Sequence, residues 1–282
     1  MLTVKEVLLR TTSFFEGKGI ENPRLNAEIL LAHGLGMNSR LDVYLQHDRP
    51  LEEAELEKVR PLVKRRVQGE PLQHIEGRAN FLGEYFLVNK KVLIPRPETE
   101  ELFEKVEALL NENPPNRILD LGTGSGILAL SLARTFKDAK VIAVDISPDA
   151  LAVAKENAEL QNLSTRIKFL ESDWYAAIQG EYDLIISNPP YLRDKEVEAA
   201  NPEVRDFEPM QALVSSGEKG EDCLFQVLEG AIQHLVPQGI VAMETGISQH
   251  DLLYSKATEI GYSKSWGEKD LSGRDRFFFA QK

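Results

Sequence analysis

Cysteine is almost absent from this sequence, which contains only Cys223 among its 282 residues. One cysteine cannot form an internal disulfide, so the fold cannot depend on covalent cross-links. Five histidines are present, but none has the spacing from another histidine or from Cys223 that is typical of ligands in a structural metal site. The sequence therefore predicts a fold that rests on its hydrophobic core, with no metal.

Long apolar runs are also missing. No stretch approaches the roughly 18 apolar residues of a membrane-spanning helix. Lys5, Glu6 and Arg10 interrupt the amino-terminal region, where a secretion signal would need an apolar segment. These features predict a cytoplasmic protein.

An excess of positive charge is absent too, because the formal net charge is −12. Residues 1–90 hold 13 Lys and Arg against 13 Asp and Glu, whereas residues 91–282 hold 20 against 32. Nucleic-acid binding normally requires a basic surface that neutralises phosphates. The charge distribution therefore argues against nucleic acid as a direct substrate.

Residues 1–72 are expected to form a small helical domain. Apolar side chains recur at helical spacing in residues 3–17 and 22–34. Residues 51–69 are rich in Glu at the start and in Lys and Arg at the end, which suits the helix dipole. Pro61 should kink or split this last helix, because proline lacks the backbone N–H of the helical hydrogen bond.

Residues 73–95 show a different pattern and predict a linker built from a β-hairpin. Apolar and aromatic residues occur there in short runs, the last of them at residues 92–94, and Gly or Asn-Lys turns separate the runs.

From residue 96 to residue 282 the pattern alternates between strands and helices. Buried strands are predicted at residues 117–121, 140–144, 167–171, 183–187 and 239–244, helices near 126–136, 148–160, 221–236 and 248–259, and a closing strand pair at 263–267 and 276–280. Strands that alternate with helices form a parallel sheet covered on both faces. We therefore expect a Rossmann-like α/β domain with a seven-stranded, mostly parallel sheet and a carboxyl-terminal antiparallel strand.

The turn after the first of these strands is rich in glycine, with residues 120–126 reading DLGTGSG. Glycine lets the backbone turn tightly and approach a ligand without an obstructing Cβ atom. Asp145 ends the next strand, where a carboxylate can accept both ribose hydroxyls of a nucleotide-like cofactor. Alternatively, the glycines form only a tight turn and Asp145 is a helix N-cap, although Ser147 could supply that cap.

A dinucleotide and S-adenosylmethionine both suit this arrangement. The dinucleotide motif has its third glycine three residues after the second, whereas Gly124 and Gly126 are two residues apart, so S-adenosylmethionine is favoured. After the third strand, Asp173 could reach the adenine amino group and the indole of Trp174 could cover the adenine ring. Core packing explains Trp174 equally well.

The fourth strand ends in the loop Asn188, Pro189, Pro190 and Tyr191. Consecutive prolines cannot join a sheet and hold the loop rigid. Two acceptors fixed on the hydrogens of an amide nitrogen would return electron density to that nitrogen and aim it at a methyl donor. A simpler interpretation is a Pro-Pro turn in which Asn188 is a local turn residue.

The order DLGTGSG, VD, SDW and NPPY resembles the S-adenosylmethionine-dependent methyltransferases that act on planar amide or amino nitrogens. Further segments are similar to the bacterial release-factor glutamine methyltransferases, the PrmC or HemK family, over nearly the whole chain. They are PRLNAE at 23–28, GEP at 69–71, IEG at 75–77, LIPRPETE at 93–100, EVRDFEP at 203–209 and DLSGRDR at 270–276.

The resemblance implies a role for each motif. Asn188, Pro189 and Tyr191 would be catalytic, since the Asn188 oxygen and the Pro189 carbonyl would accept the two hydrogens of the target nitrogen and Tyr191 would pack on its planar group. The residues expected to bind substrate are Asn188, Pro189, Pro190 and Tyr191. The residues expected to bind the cofactor are Gly122, Thr123, Gly124, Ser125, Gly126, Asp145, Ile146, Asp173, Trp174 and Asn188.

The resemblance also implies a partner. The helical domain would dock a class 1 peptide chain release factor, and the α/β domain would methylate N5 of the glutamine in its Gly-Gly-Gln loop. Two alternatives share the NPPY loop: a glutamine methyltransferase of a large-subunit ribosomal protein, and an adenine-N6 methyltransferase of nucleic acid.

Overall fold

The computed structural model describes residues 1–282, which divide into two compact units. The first unit comprises Met1–Arg78 together with Pro202–Phe207, and the second comprises Ala79–Asn201 together with Glu208–Lys282. The functional division into a docking domain, a linker and a catalytic domain stays a prediction.

The first unit is helical. Its helices are α1 (Val4–Gly17), α2 (Pro23–Gly34), α3 (Asp42–Leu45), α4 (Glu53–Val67), α5 (Leu72–Glu76) and α10 (Pro202–Arg205). A core that includes Phe15, Leu30, Leu31 and Val43 is fully buried between the helices. Two buried residues of this unit meet directly, because Arg66 Nε donates to Asn26 Oδ1 at 2.6 Å.

The sequence predicts that Pro61 kinks or splits its helix, and the split is wrong, because α4 is a single helix that contains this proline. Tertiary packing explains the difference: Val59 of α4 is buried against α2. The approach is so close that a Cβ atom on Gly34 would lie 2.9 Å from Cγ2 of Val59. Burial on both sides of Pro61 offsets the single helical hydrogen bond that proline removes.

The second unit begins with a hairpin of β1 (Arg78–Phe81) and β2 (Glu84–Leu87). Phe81 and Phe86 are buried and meet edge to face at 6.1 Å. The predicted strand at residues 92–94 is wrong, since this stretch belongs to a loop. Val92 and Ile94 of this stretch are buried instead against Ala150 and Val153.

The rest of the second unit is a seven-stranded sheet covered by helices, as predicted. Its strands are β3 (Arg117–Leu121), β4 (Lys140–Asp145), β5 (Ile167–Glu171), β6 (Tyr182–Ser187), β7 (Leu235–Glu244), β8 (Lys264–Lys269) and β9 (Asp275–Gln281). Its helices are α6 (Pro97–Leu110), α7 (Ile127–Thr135), α8 (Pro148–Leu160), α9 (Asp194–Glu198), α11 (Asp222–His234) and α12 (His250–Ile260).

The sheet has the strand order β5-β4-β3-β6-β7-β9-β8. Strands β3 to β7 pair in parallel, and β9 pairs antiparallel with both β7 and β8. Alternate residues of β9 enter different cores, Phe277 and Phe279 on one face of the sheet and Phe278 on the other. Such burial on both faces explains why the strands are almost continuously apolar.

No helix is both long and apolar enough to cross a membrane. The structure also contains no group of three or more His, Cys, Asp or Glu side chains placed to hold a metal ion.

Candidate active site

The sequence-predicted site residues follow strands at the centre of the sheet. Strand β3 lies between β4 and β6, and the chain runs from β3 towards β4 on one side before it returns to β6 on the other. In parallel α/β sheets, a crevice opens at such a point beyond the carboxyl ends of the strands.

The loop after β3 turns through three glycines whose φ angles are positive, +69° at Gly122, +56° at Gly124 and +84° at Gly126. Residues with a Cβ atom rarely adopt this conformation. A Cβ atom at Gly122 or Gly124 would meet no other atom within 4 Å, whereas one at Gly126 would lie 3.1 Å from Cβ of Ala154. Gly126 therefore allows close packing of α7 on α8. Gly122 and Gly124 instead border open space.

Asp145 ends β4 and binds this loop. Its Oδ2 accepts the Gly124 N–H at 2.9 Å, and its Oδ1 accepts the Ser147 N–H at 2.9 Å. Ser147, not Asp145, caps α8, because its hydroxyl accepts the Ala150 N–H at 3.2 Å. Burial raises the pKa of Asp145, and the backbone N–H donors oppose that rise.

A cavity of about 320 Å³, here called the donor cavity, opens between these loops. It is lined by ten of the predicted site residues: Gly122, Thr123, Gly124, Ser125, Asp145, Ile146, Asp173, Trp174, Asn188 and Pro190. Three predicted residues do not line it. These are Gly126, which packs against α8, and Pro189 and Tyr191, which belong to the loop after β6.

Three backbone N–H groups of the glycine loop already have acceptors within the protein. The Thr123 N–H donates to the Val144 carbonyl at 2.9 Å, and the Gly126 N–H donates to the Thr123 carbonyl at 2.8 Å. The Gly124 N–H is bound to Asp145. Because pyrophosphate recognition uses free backbone N–H groups at this turn, these bonds disfavour a dinucleotide.

Asp173 and Trp174 follow β5 and both line the donor cavity. Trp174 has a left-handed backbone, with φ +45°, which is unusual for a bulky residue. The Ser172 hydroxyl supports this turn by donating to the Trp174 carbonyl at 2.9 Å. The indole also packs against buried core residues, so Trp174 lines the cavity and packs on the core at once.

Two hydrogen bonds hold the loop after β6, one to β3 and one to α6. Ser187 is fully buried and donates its hydroxyl to the Leu121 carbonyl of β3 at 2.8 Å. Asn188 lines the donor cavity, and its side-chain Nδ2 donates to the Thr99 hydroxyl at 3.1 Å. Thr99 lies in the first turn of α6 and is almost fully buried.

Tyr191 is fixed at both its side chain and its backbone. Its hydroxyl donates to Oε1 of Glu244 at 2.8 Å, and burial raises the pKa of Tyr191 well above its usual value. The buried Gln249 donates to the Tyr191 carbonyl at 3.0 Å. A Cβ atom on Gly220 would lie only 2.5 Å from this carbonyl, so Gly220 is required by the close approach.

The sequence interpretation missed several supporting residues. Asp120 is one, since its carboxylate accepts from the Thr123 hydroxyl at 2.6 Å and from the Ala129 N–H at 3.1 Å. Burial raises the pKa of Asp120 to about 7. Glu244 and Gln249 are the others. No local motif marks Glu244 or Gln249, because each of them binds Tyr191, which lies far away in sequence.

Comparison with known proteins decides the family. Residues 99–218 match the family model described as a methyltransferase small domain, and residues 6–77 match the PrmC N-terminal domain. The chain is 46% identical to the release factor glutamine methyltransferase of Chlorobaculum tepidum over 76% of each sequence. It is 39% identical to that of Nitratidesulfovibrio vulgaris, over 99% of this chain and 95% of the relative. This chain belongs to the release factor glutamine methyltransferase family.

Solved structures agree on the fold of this family member. The catalytic domain of hMettl16 in complex with a MAT2A 3′UTR hairpin has a TM-score of 0.57 at 17% identity, covering 83% of this chain and 93% of that one. A Thermus thermophilus 16S rRNA methyltransferase in complex with AdoMet and guanosine has a TM-score of 0.52 at 21% identity, covering 73% and 49%. At this identity the likeness concerns the fold alone.

The cofactor of this methyltransferase domain is S-adenosylmethionine, and the donor cavity fits it. The volume lies at the lower end of the range for small-ligand sites, roughly 300 to 1,000 Å³. The cavity wall has two carboxylates, Asp145 and Asp173, and its single cationic residue, Lys91, forms an ion pair with Asp149. An acidic wall suits a cationic sulfonium better than a pyrophosphate.

Proposed function

We propose that this protein transfers the methyl group of S-adenosylmethionine to the side-chain amide nitrogen of a glutamine, and that this glutamine lies in the Gly-Gly-Gln motif of class 1 release factors. The observation that carries the proposal is the position of Asn188, which lines the donor cavity at the end of β6. The relatives' name, release factor glutamine methyltransferase, supports the substrate.

The loop after β6 supplies what an amide substrate needs. An amide nitrogen is a weak nucleophile, because its lone pair is delocalised into the carbonyl. The Asn188 Oδ1 and the Pro189 carbonyl would accept its two hydrogens, which raises electron density on nitrogen and fixes its direction. Bound S-adenosylmethionine supplies an activated methyl group on a sulfonium.

No strong base is needed for this reaction. The nitrogen proton becomes acidic as the N–C bond forms, so it can leave to the same acceptors or to water. Asp145 would hold the ribose of the donor, because a carboxylate has about four acceptor positions and the backbone N–H groups of Gly124, Ser147 and Ile146 do not fill them all.

We further propose that the helical residues 1–72 dock the release factor, that residues 73–95 act as a linker and that residues 96–282 catalyse. The neutral charge of residues 1–90 supports a protein partner rather than a nucleic acid. The same charge argument, with −12 in residues 91–282, disfavours duplex DNA or RNA as a direct substrate. Neither metal chemistry nor a membrane enters this proposal, and the site of action is the cytoplasm.

Tritiated S-adenosylmethionine tests the proposal. We expect transfer to a purified class 1 release factor, with the label on the glutamine of Gly-Gly-Gln after peptide mapping. A release factor in which this glutamine is replaced by alanine is the control and should stay unlabelled. Label on a large-subunit ribosomal protein or on a nucleic acid, with none on the release factor, would overturn the proposal.

A further inference from the structure

Glu244 is a carboxylate buried at the carboxyl end of β7, with only 1% of its surface exposed. Burying a charge is costly unless hydrogen bonds compensate for lost hydration. Both oxygens of Glu244 are compensated by residues at the active site. Oε2 accepts the Thr99 hydroxyl at 2.7 Å, and Oε1 accepts the Tyr191 hydroxyl at 2.8 Å.

Thr99 connects this carboxylate to Asn188. Its hydroxyl accepts the Asn188 Nδ2 at 3.1 Å while donating to Glu244. The four side chains, Asn188, Thr99, Glu244 and Tyr191, therefore form one chain of hydrogen bonds, here called the acceptor relay. It ties the first and the last residue of the NPPY loop to one buried carboxylate.

The donors and acceptors of the relay have only one consistent direction. An ionised carboxylate can only accept, so Thr99 must direct its single hydrogen at Glu244. Thr99 can then only accept from Asn188, which turns the NH₂ group of Asn188 towards Thr99. The Asn188 Oδ1 is thereby left on the other side of the amide, as the atom offered to substrate.

We propose that Glu244 and Thr99 are positioning residues for methyl transfer, which orient the Asn188 amide so that its oxygen, not its nitrogen, meets the substrate N–H. The inference rests on the proposed function, since it gives Asn188 the acceptor role described above. If the Asn188 amide were flipped, its NH₂ group would face the N–H hydrogens of the substrate glutamine. Both groups are donors, so no hydrogen bond would form.

The relay accounts for features that packing alone does not. The hydrogen-bond partners of Glu244 are the uncharged hydroxyls of Thr99 and Tyr191, and a leucine would fill the buried site of Glu244 without the cost of a charge. Arg276 in β9 acts on Glu244 only through its charge, and Glu98 in α6 opposes it. The charge of Glu244 therefore fixes the direction of the hydrogen bonds in the acceptor relay.

A matched pair of variants tests the relay. Thr99→Val keeps the shape of the side chain but removes the hydroxyl, whereas Thr99→Ser keeps the hydroxyl. With release factor as substrate and saturating S-adenosylmethionine, we expect Thr99→Val to lose about tenfold in kcat, the effect of losing one orienting hydrogen bond. Thr99→Ser should stay within about threefold of the wild type, because a serine hydroxyl rebuilds the relay.

Two further measurements separate orientation from folding. The Kd for S-adenosylmethionine, measured by calorimetry, should be nearly unchanged in both variants, and melting temperatures show whether Thr99→Val is folded at the assay temperature. Equal kcat for Thr99→Val and wild type, or equal losses in both variants, would overturn the relay. Absence of glutamine methylation by the wild type would instead overturn the proposed function.

Discussion

The loop of residues 122–126 and the loop of residues 188–191 both follow buried parallel strands, but the structure holds them by different means. The first is shaped by backbone conformation, with positive φ at its glycines and with backbone N–H groups bound to neighbouring atoms. The second is held by the side chains of Thr99 in α6, Glu244 in β7 and Gln249, the residue that precedes α12. A donor site can thus be encoded locally, while an acceptor site depends on distant support.

The largest effect expected is on the acceptor side. Asn188→Ala removes the proposed side-chain acceptor of the target N–H while leaving most of the donor cavity intact, so turnover should fall by about 10²-fold. The Kd for S-adenosylmethionine should change little. Turnover assays with release factor and calorimetry with the donor measure the two quantities, and unchanged turnover would contradict the role of Asn188.

The difference between the two loops also explains what the sequence could predict. Strands at 117–121 and 167–171 and the helix at 148–160 have the predicted bounds, because apolar periodicity and turn residues are local signals. The hydrogen bond of Thr99 to Glu244 joins residues 145 positions apart, so no motif spacing could reveal it. Pro61 and residues 92–94 misled the interpretation because tertiary packing overrode local preference.

On the donor side, Asp145→Asn should weaken the binding of S-adenosylmethionine. The asparagine keeps the size of the side chain but loses the charge, and its nitrogen cannot accept a hydrogen bond from Gly124, Ser147 or a ribose hydroxyl. Hydrogen bonds to a charged group contribute about 1.5 to 3 kcal/mol, so the Kd for S-adenosylmethionine should rise at least tenfold. Turnover at saturating donor should stay near the wild-type value, and a selective loss of kcat with unchanged Kd would exclude this role.

Two glycine variants distinguish conformation from packing within the donor loop. Gly124→Ala imposes a left-handed backbone on alanine, a cost of about 1 to 2 kcal/mol, and its methyl group would project into open space. Gly126→Ala adds to this a contact of 3.1 Å with Ala154, so its free energy of unfolding should fall further. Urea unfolding compares the two variants. A smaller loss in Gly126→Ala than in Gly124→Ala would contradict the packing role.

The smallest effects expected lie in the pH dependence, where the two loops should separate again. Burial raises the pKa of both Asp145 and Glu244 from their ordinary values. As pH falls through the raised pKa of Asp145, its carboxyl becomes protonated and accepts fewer hydrogen bonds, so donor affinity should weaken. As pH falls through the raised pKa of Glu244, the carboxyl gains a hydrogen that it must donate to one partner, which removes the single direction of the acceptor relay. Turnover at saturating donor should therefore decrease towards acid, with a midpoint above that of an exposed glutamate.

Glu244→Gln provides the control for this last comparison, because its amide does not titrate. Its kcat should be lower than that of the wild type at neutral pH and should not show the acid decrease that belongs to Glu244, while the acid decrease in donor affinity persists because Asp145 is unchanged. The amide has an NH₂ group that can only donate where the carboxylate has a second accepting oxygen, so one hydroxyl of the relay must reverse. An acid decrease in kcat that is the same in Glu244→Gln as in the wild type would show that another group, such as Asp120 with its pKa of about 7, controls turnover. Turnover would then depend on a titrating group beside the donor loop, and the pH dependence would no longer distinguish the two loops.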